Sequence, residues 1–360
     1  MNSERKNGWV HTVRYPANCK PMRNRTILYQ DRGNPLEVLS LEEFPMPKPG
    51  KGEVLIQMLA ATIHPSDFGL INGSYGKLRD LPAVGGREGV GKVIETGPEV
   101  DDKVIGKLVA MPDAQGAWQE FVVTQTDNLL LVPSLVPAEQ LAVAILNPMT
   151  AWRLLHDFEY LKDGDFIIQN AGNSSVGLAV IQFAKMLGIA CISLVRTEER
   201  LHQMKEFGAE HVLLDDDTVP SRVQEVTKGQ KCVLGLNSIG GRSSLRVARS
   251  LRSSGVLVTF GAMDSSPIRF PTRELIFEDI RFVGFWLDRW KSKQTPASLR
   301  NAIEHVLQPL ALDQVRYPID KIFPLEDFEL ALKRNTESRW GKVLLSPNPE
   351  ILLEARKISS

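Results

Sequence analysis

Residues 169–196, QNAGNSSVGLAVIQFAKMLGIACISLVR, decide the fold. An apolar strand breaks into small residues, a helical pattern follows, and a second strand ends on Arg196. Gly172, Ser174 and Gly177 hold the spacing of a G-x-G-x-x-G turn with serine at its middle position. Glycine spacing alone says little, but strand, small-residue turn and helix together aim backbone N–H groups and a helix N-terminus at a pyrophosphate. The run Gly172, Asn173, Ser174, Ser175, Val176 and Gly177 is therefore read as a dinucleotide-binding turn, the alternative being an ordinary tight βα turn. In NAD-binding turns an acid about 20 positions on hydrogen-bonds the ribose 2′-hydroxyl. Here the residue nineteen after Gly177 is Arg196. A guanidinium clamps a 2′-phosphate that a carboxylate would repel, so NADPH is the expected cofactor. The alternative is a solvated arginine at a strand end, which the neighbouring Glu198 and Glu199 keep open.

The pattern around this stretch changes along the chain. From about residue 25 to 131 short β-type runs, RTILYQ, EVLIQMLAA, GVGKVIETG, KLVAMP and EFVVTQ, are separated by Gly, Pro and Asp, which indicates a mostly β domain. After Leu146 strand and helix alternate through DFIIQN, VGLAVIQFAKML, ACISLV, TEERLHQMKEFG, HVLLD, KCVLGLN, SSLRVARSLR and GVLVTFG. Alternation of this kind predicts a parallel sheet with helices on both faces, a doubly wound Rossmann domain. RFVGFWL at 281–287 is expected as an edge strand, and IFPLEDFELALKR with GKVLLS as a helix and strand returning to the β domain. The expected organisation is an N-terminal extension over 1–21, a β-rich domain over 22–145 with 316–360, and the nucleotide domain over 146–315.

The 360 residues exceed what one hydrophobic core usually serves, in keeping with two domains. Forty-three basic and forty-three acidic side chains cancel, leaving no net field to gather nucleic acid or an anionic membrane. Cys19, Cys191 and Cys232 are widely spaced, so neither a disulfide framework nor a thiolate zinc cluster can be built from them. No apolar run approaches the roughly 20 residues that span a bilayer. Before Met22, Arg5, Lys6, Arg14 and Lys20 face one acid, Glu4, without an amphipathic period. This stretch is read as a leftover extension, so a cytoplasmic protein is expected; the alternative, a presequence, would send the chain to the mitochondrial matrix.

Three long phrases carry a resemblance: MLAATIHPSDFGLINGSYGKLRDLPAVGGREGVGKV, NPMTAWRLLHDFEYLKDGDFIIQNAGNSSVG and RFVGFWLDRW. With the domain order they resemble the medium-chain dehydrogenase/reductase superfamily, and within it the zinc-independent, mitochondrial-type trans-2-enoyl-thioester reductases, from about Thr26 to Ser346. The resemblance implies a GroES-like β-rich domain joined to the Rossmann domain. It also implies a homodimer that reduces 2-enoyl thioesters, on coenzyme A or acyl carrier protein, with NADPH in fatty-acid synthesis. Carried over by position, Tyr75 of the NGSYG phrase would be the catalytic residue. Asn147, the Asn173–Val176 turn, Arg196, Phe260, Gly261, Ala262, Met263, Phe285, Trp286, Leu287 and Lys342 would line the NADPH site. Two positions depart from the family pattern: Arg87 stands in GGREGVG where a smaller polar residue is expected, and Glu198 takes the place of a second adenosine-side base.

Zinc members of this superfamily hold their metal with a cysteine before a histidine and a histidine before a glutamate. Here Ile63 precedes His64 and Arg87 precedes Glu88, and neither an aliphatic side chain nor a guanidinium ligates zinc, so no metal is expected. His64, in a turn before Pro65, is read as a packing or hydrogen-bonding residue. Reducing an activated alkene needs a hydride at Cβ, stabilisation of charge on the thioester oxygen and a proton at Cα, and one phenol, Tyr75, can serve the last two. Phe285 and Trp286 wall either the site or the core. Arg289, Lys291 and Lys293 are candidates for meeting an acidic carrier, and Asp215 to Asp217 read as a loop without a role. Two alternatives remain open at this point, a quinone or enone reductase sharing the cofactor site and a nucleotide-binding protein without turnover.

Overall fold

The computed structural model describes residues 23–111, 115–264, 266–268, 270–350 and 352. The expected extension over 1–21, with Cys19, lies outside the described residues. Six strands, Phe166–Gln169, Ala190–Val195, His211–Leu214, Cys232–Asn237, Leu251–Thr259 and Arg281–Gly284, form one sheet in which every pairing is parallel. In space the order runs 211–214, 190–195, 166–169, 232–237, 251–259, 281–284. Chain order therefore reverses between 166–169 and 232–237, the switch point at which open α/β sheets leave a ligand crevice. Ile167, Ile168, Ile192, Leu194, Leu234, Leu236 and Leu257 are fully buried, as strands covered on both faces by helices must be. Helix Ser175–Met186 follows the first of these strands and buries Leu178, Ala179, Phe183 and Ala184 in the core shared with helix Leu146–His156.

The second unit is β-rich. Strands Ile319–Pro324, Lys342–Ser346, Glu53–Thr62, Gly89–Thr96, Leu108–Ala110 and Leu130–Leu131 lie side by side, with Phe121–Gln125 added against Glu53–Thr62. The late strand Lys342–Ser346 pairs with Glu53–Thr62 at Leu344–Thr62 and Leu345–Ala61, which returns the chain to the β-rich unit. Trp118, fully buried, lies against Gly85 and Gly86 so closely that a Cβ on either would collide with the indole ring. Gly86 also has a φ of 82°, a left-handed backbone that glycine adopts without strain. This packing fixes the approach to Arg87.

One expectation needs correction. The run 281–287 is not a single strand: pairing ends at Gly284, Phe285 makes a last bond from its N–H to Thr259 O (2.9 Å), and a short helix Leu287–Lys291 begins after Trp286. Trp286 keeps an extended backbone (φ −133°, ψ 117°), and Asp288 in the first turn of the helix that follows is favoured by its positive end.

Candidate active site

The turn after strand Phe166–Gln169 is built for close approach. Ala171 takes a left-handed φ of 48°, and Ser174 caps the helix by accepting the Gly177 N–H on its hydroxyl (3.1 Å). A Cβ on Gly172 would stand 2.7 Å from Cβ of Ser193, and one on Gly177 would collide with the Gly172 carbonyl. Across the switch point Asn170 Nδ2 donates to Asn237 Oδ1 (2.7 Å) and Ser243 Oγ (3.0 Å), while its Oδ1 accepts the Ser238 N–H (2.8 Å). The loop from Phe260 through Gly261 and Ala262 to Met263 is fixed over the same strand ends by Phe260 N–H to Asn237 O and Met263 N–H to Ser238 O, each 3.0 Å.

Asn147 lies in the first turn of helix Leu146–His156, and its Nδ2 is buried without a partner, as is the Ser238 hydroxyl. Orphaned buried donors are costly unless a ligand meets them. The glycine cradle, the exposed helix N-terminus and these two polar atoms fit a dinucleotide. Arg196 is exposed at the end of strand Ala190–Val195, where a 2′-phosphate would be met. Glu198 and Glu199 open the next helix, Glu198–Glu206, behind the Thr197 cap, and acids there are accounted for by the helix dipole. Arg200 is buried and donates to Ser338 Oγ (2.7 Å).

Tyr75 stands on the loop that follows helix Pro65–Asn72, which ends at Gly73 with a left-handed φ of 85°. Its phenol oxygen is held from both structural units. Arg87 Nη1 donates to it (2.7 Å), Trp286 Nε1 donates to it (2.9 Å), and its own hydroxyl donates to Asp288 Oδ2 (3.0 Å). Arg87 Nη2 in turn meets both oxygens of Asp288 at 2.7 and 2.8 Å. The indole stands edge-on to the phenol ring, with centroids 5.8 Å apart. Burial holds the Tyr75 hydroxyl above its ordinary value of 10.0, with Arg87 pulling the other way, so the phenol keeps its proton at neutral pH. Leu287 is buried in the core, and Phe285 turns away to pack edge-on against Phe158 at 5.7 Å. The partners of Tyr75 were not read from the sequence; the only signal was the unexpected Arg87.

Beneath the site His64, Glu88 and Lys342 form a buried row. His64 Nε2 lies 2.7 Å from Glu88 Oε2, and Lys342 Nζ lies 3.0 Å from His64 Nδ1 and 3.3 Å from the Ile63 carbonyl. Glu88 Oε1 accepts the N–H groups of Ile145 (2.6 Å) and Leu146 (2.9 Å), which ties the β-rich unit to the start of the helix that carries Asn147. Burial, and then the Lys342 charge, lower His64 to about 4, so the ring is neutral, donating from Nε2 and accepting at Nδ1. Burial also lowers Lys342 to about 8. Expected as a cofactor contact, Lys342 has its ammonium engaged in this row. Among the described residues no group of three or more His, Cys, Asp or Glu is placed to hold a metal ion. A cavity of about 350 Å³ opens beside Arg87, walled by Met111, Ile145, Met149, Leu299 and Ile303. The Asp215–Asp217 loop does have a structural role: Arg246 bridges Asp215 and Asp217, and Ser243 donates to Asp215, binding that loop to helix Gly241–Arg249.

Residues 50–134 match the model of the alcohol dehydrogenase GroES-like domain, and 175–306 that of the zinc-binding dehydrogenases. A GroES-like domain joined to a parallel-sheet nucleotide domain defines the medium-chain dehydrogenase/reductase class. The mitochondrial enoyl-[acyl-carrier-protein] reductase of Xenopus tropicalis is 39% identical over 86% of this chain and 91% of its own. The Homo sapiens protein of the same name is 37% identical over 89% and 87%. This chain belongs to that enoyl reductase family. Among solved structures, a mitochondrial 2-enoyl thioester reductase heterodimer from Candida tropicalis shares the fold with a TM-score of 0.82 at 24% identity, covering 90% of this chain and all of that one. A mycobacterial quinone oxidoreductase superposes with a TM-score of 0.77 at 28% identity, covering 90% and 100%.

Proposed function

We propose that this protein reduces the 2,3 double bond of trans-2-enoyl thioesters, on coenzyme A or acyl carrier protein, with NADPH. The observation that carries the reading is the Tyr75 phenol, protonated and gripped by Arg87, Trp286 and Asp288 between the two units. NADPH held in the cradle would supply the hydride that Cβ of the substrate takes up. The Gly172–Gly177 turn binds the pyrophosphate, Arg196 the 2′-phosphate, and Asn147 with the 260–263 loop bounds the remainder. Tyr75 donates a hydrogen bond to the thioester oxygen, where negative charge develops as the Cβ–H bond forms. Its proton passes to Cα as the C–H bond closes, and water restores the phenol. The apolar cavity beside Arg87 takes the acyl tail, a role its Met, Ile and Leu walls suit.

The test is NADPH consumption with a short and a long trans-2-enoyl thioester, with a quinone and with NADH as controls. Saturating thioester turnover with little quinone reduction is the expected result. Quinone turnover alone would favour the second reading, which the likeness to a quinone oxidoreductase supports, and absence of any turnover would leave a nucleotide-binding protein. Tyr75→Phe keeps the ring and should lower kcat about 100- to 1,000-fold, the scale for losing one oxyanion donor.

A homodimer is part of the same proposal, because strand Arg281–Gly284 is a sheet edge flanked by exposed Phe270, Ile276, Phe277 and Val283. For a carrier substrate, exposed Arg289 and Lys293 beside the cavity offer positive charge, and reversing both should slow carrier-linked turnover while sparing coenzyme A thioesters. No helix among the described residues is long and apolar enough to cross a membrane. We infer a mitochondrial rather than a cytoplasmic location, the relatives being mitochondrial by name; diffuse cytoplasmic fluorescence of the tagged full chain would refute it.

A further inference from the structure

We propose that Arg87 and Asp288 are positioning residues that work as a pair on the Tyr75 hydroxyl: they hold it at rest and free its O–H to turn to the substrate oxygen. The inference rests on the enoyl reductase reading and concerns how its central phenol is controlled.

A phenol offers one proton and two lone pairs. In Tyr75 all three are used, by Asp288 as acceptor and by Arg87 and Trp286 as donors. An oxygen held from three directions has a fixed position, and misplacement by about 1 Å costs on the order of 100-fold in rate. The three partners also come from different units. Arg87 stands on the loop before strand Gly89–Thr96, whereas Trp286 and Asp288 follow the last strand of the parallel sheet. The phenol is therefore in register with the cofactor cradle only while the units are docked.

The same geometry shows how the hydroxyl is released. To bond a thioester oxygen, Tyr75 must rotate its O–H away from Asp288. Stranding a carboxylate with no donor would be costly. Here it is not stranded, because Arg87 Nη2 still holds both Asp288 oxygens and Lys291 Nζ stands 3.8 Å away. The exchange is one hydrogen bond for another, and the guanidinium 2.7 Å from the phenol oxygen remains to stabilise charge that appears there.

Among the described residues the charged groups facing Tyr75 are Arg87, Asp288 and, through Asp288, Lys291. The cation favours phenolate and the anion opposes it, so single substitutions should move Tyr75 in opposite directions. In Arg87→Gln the alkaline limb of the kcat profile should rise by about one pH unit or more, and in Asp288→Asn it should fall by a similar amount. Both should lose kcat about ten- to 100-fold, with the KM for NADPH unchanged. Arg87→Lys, which retains the charge without the two-pronged grip, should keep the limb near the wild-type position and recover part of kcat. If Arg87→Gln does not fold, Arg87→Lys and Asp288→Asn carry the comparison. A pH titration of [13Cζ]tyrosine-labelled protein by NMR reads the Tyr75 hydroxyl without substrate. Opposite displacements there and in kcat support the pair. Displacements in one direction, or none, overturn it even with normal enoyl reduction. Variants displaced in opposite directions, in a protein whose wild-type form reduces no enoyl thioester, would instead remove the reductase reading and with it the role assigned to the pair.

Discussion

His64 shows how burial sets the behaviour of a single residue. Its folded-state value of about 4 lies below the ordinary 6.5, chiefly through burial. Above pH 6.5 neither folded nor unfolded chain protonates this ring, and its contribution to stability is complete. As pH falls from 6.5 towards 4, the unfolded chain takes a proton that the folded chain refuses, and stability is lost. His64→Gln keeps a donor for Glu88 and an acceptor for Lys342 but cannot titrate. Between pH 7 and pH 5 the wild-type protein should therefore lose about 2 kcal/mol more unfolding free energy than the variant, read from urea curves. Parallel losses in the two proteins would contradict the neutral assignment. Arg196 is tested at the same scale. A charge-assisted contact contributes about 1.5–3 kcal/mol, and at this exposed strand end the lower figure applies. Arg196→Asp should weaken NADPH binding about tenfold while sparing NADH, measured by fluorescence titration; an unchanged preference would send the search for the 2′-phosphate site elsewhere.

At the scale of elements, the strand–turn–helix over 166–186 is where the structure tolerates least. A methyl group on Gly177 would press on the Gly172 carbonyl, which is backbone and cannot rotate aside. Gly177→Ala should cost about 1–3 kcal/mol through overpacking and should weaken NADPH binding at least tenfold, since the Ser174 cap and the helix N-terminus shift with it. A variant of wild-type Tm and affinity would mean the turn is not the phosphate cradle. This element was legible in the sequence because a tight βα turn constrains its own few residues, and constraint within one short stretch leaves a local pattern. The run 281–287 was over-read because β-favouring aromatics and a helix-favouring Asp288 overlap there, and only the Gly284 register with Thr259 shows where pairing stops. The grip on Tyr75 was illegible for a different reason. Arg87 and Asp288 are 201 positions apart, and although Arg87 departs from the family pattern, nothing near either residue pairs the two. Likewise Asn170 and Asn237 end their apolar runs as unremarked polar residues until the parallel sheet brings the amides within 2.7 Å.

At the scale of the whole molecule, one edge of the parallel sheet stands beside exposed apolar side chains. Strand Arg281–Gly284 pairs on one side only, and beside it Ile276 and Phe277 are 65% and 71% exposed on helix Thr272–Phe277. An unpaired edge with apolar neighbours is prone to unspecific pairing unless another strand covers it, and a second copy offers the same edge in the antiparallel sense, with two-fold symmetry closing the contact. The sheet would then run through both subunits. Phe285 and Trp286 follow that strand directly, so pairing at the edge would also brace the residue that donates to the Tyr75 phenol. Light scattering should therefore give a mass near twice 40.1 kDa. Ile276→Asp with Phe277→Asp, which places like charges across the contact, should shift the protein towards monomer and lower kcat severalfold through a looser Trp286, while cofactor affinity stays within about twofold because the 172–177 turn is remote from the edge. A wild-type chain that is monomeric at micromolar concentration would sink the interface; a dissociated variant with full kcat would keep the interface but cut its link to Tyr75.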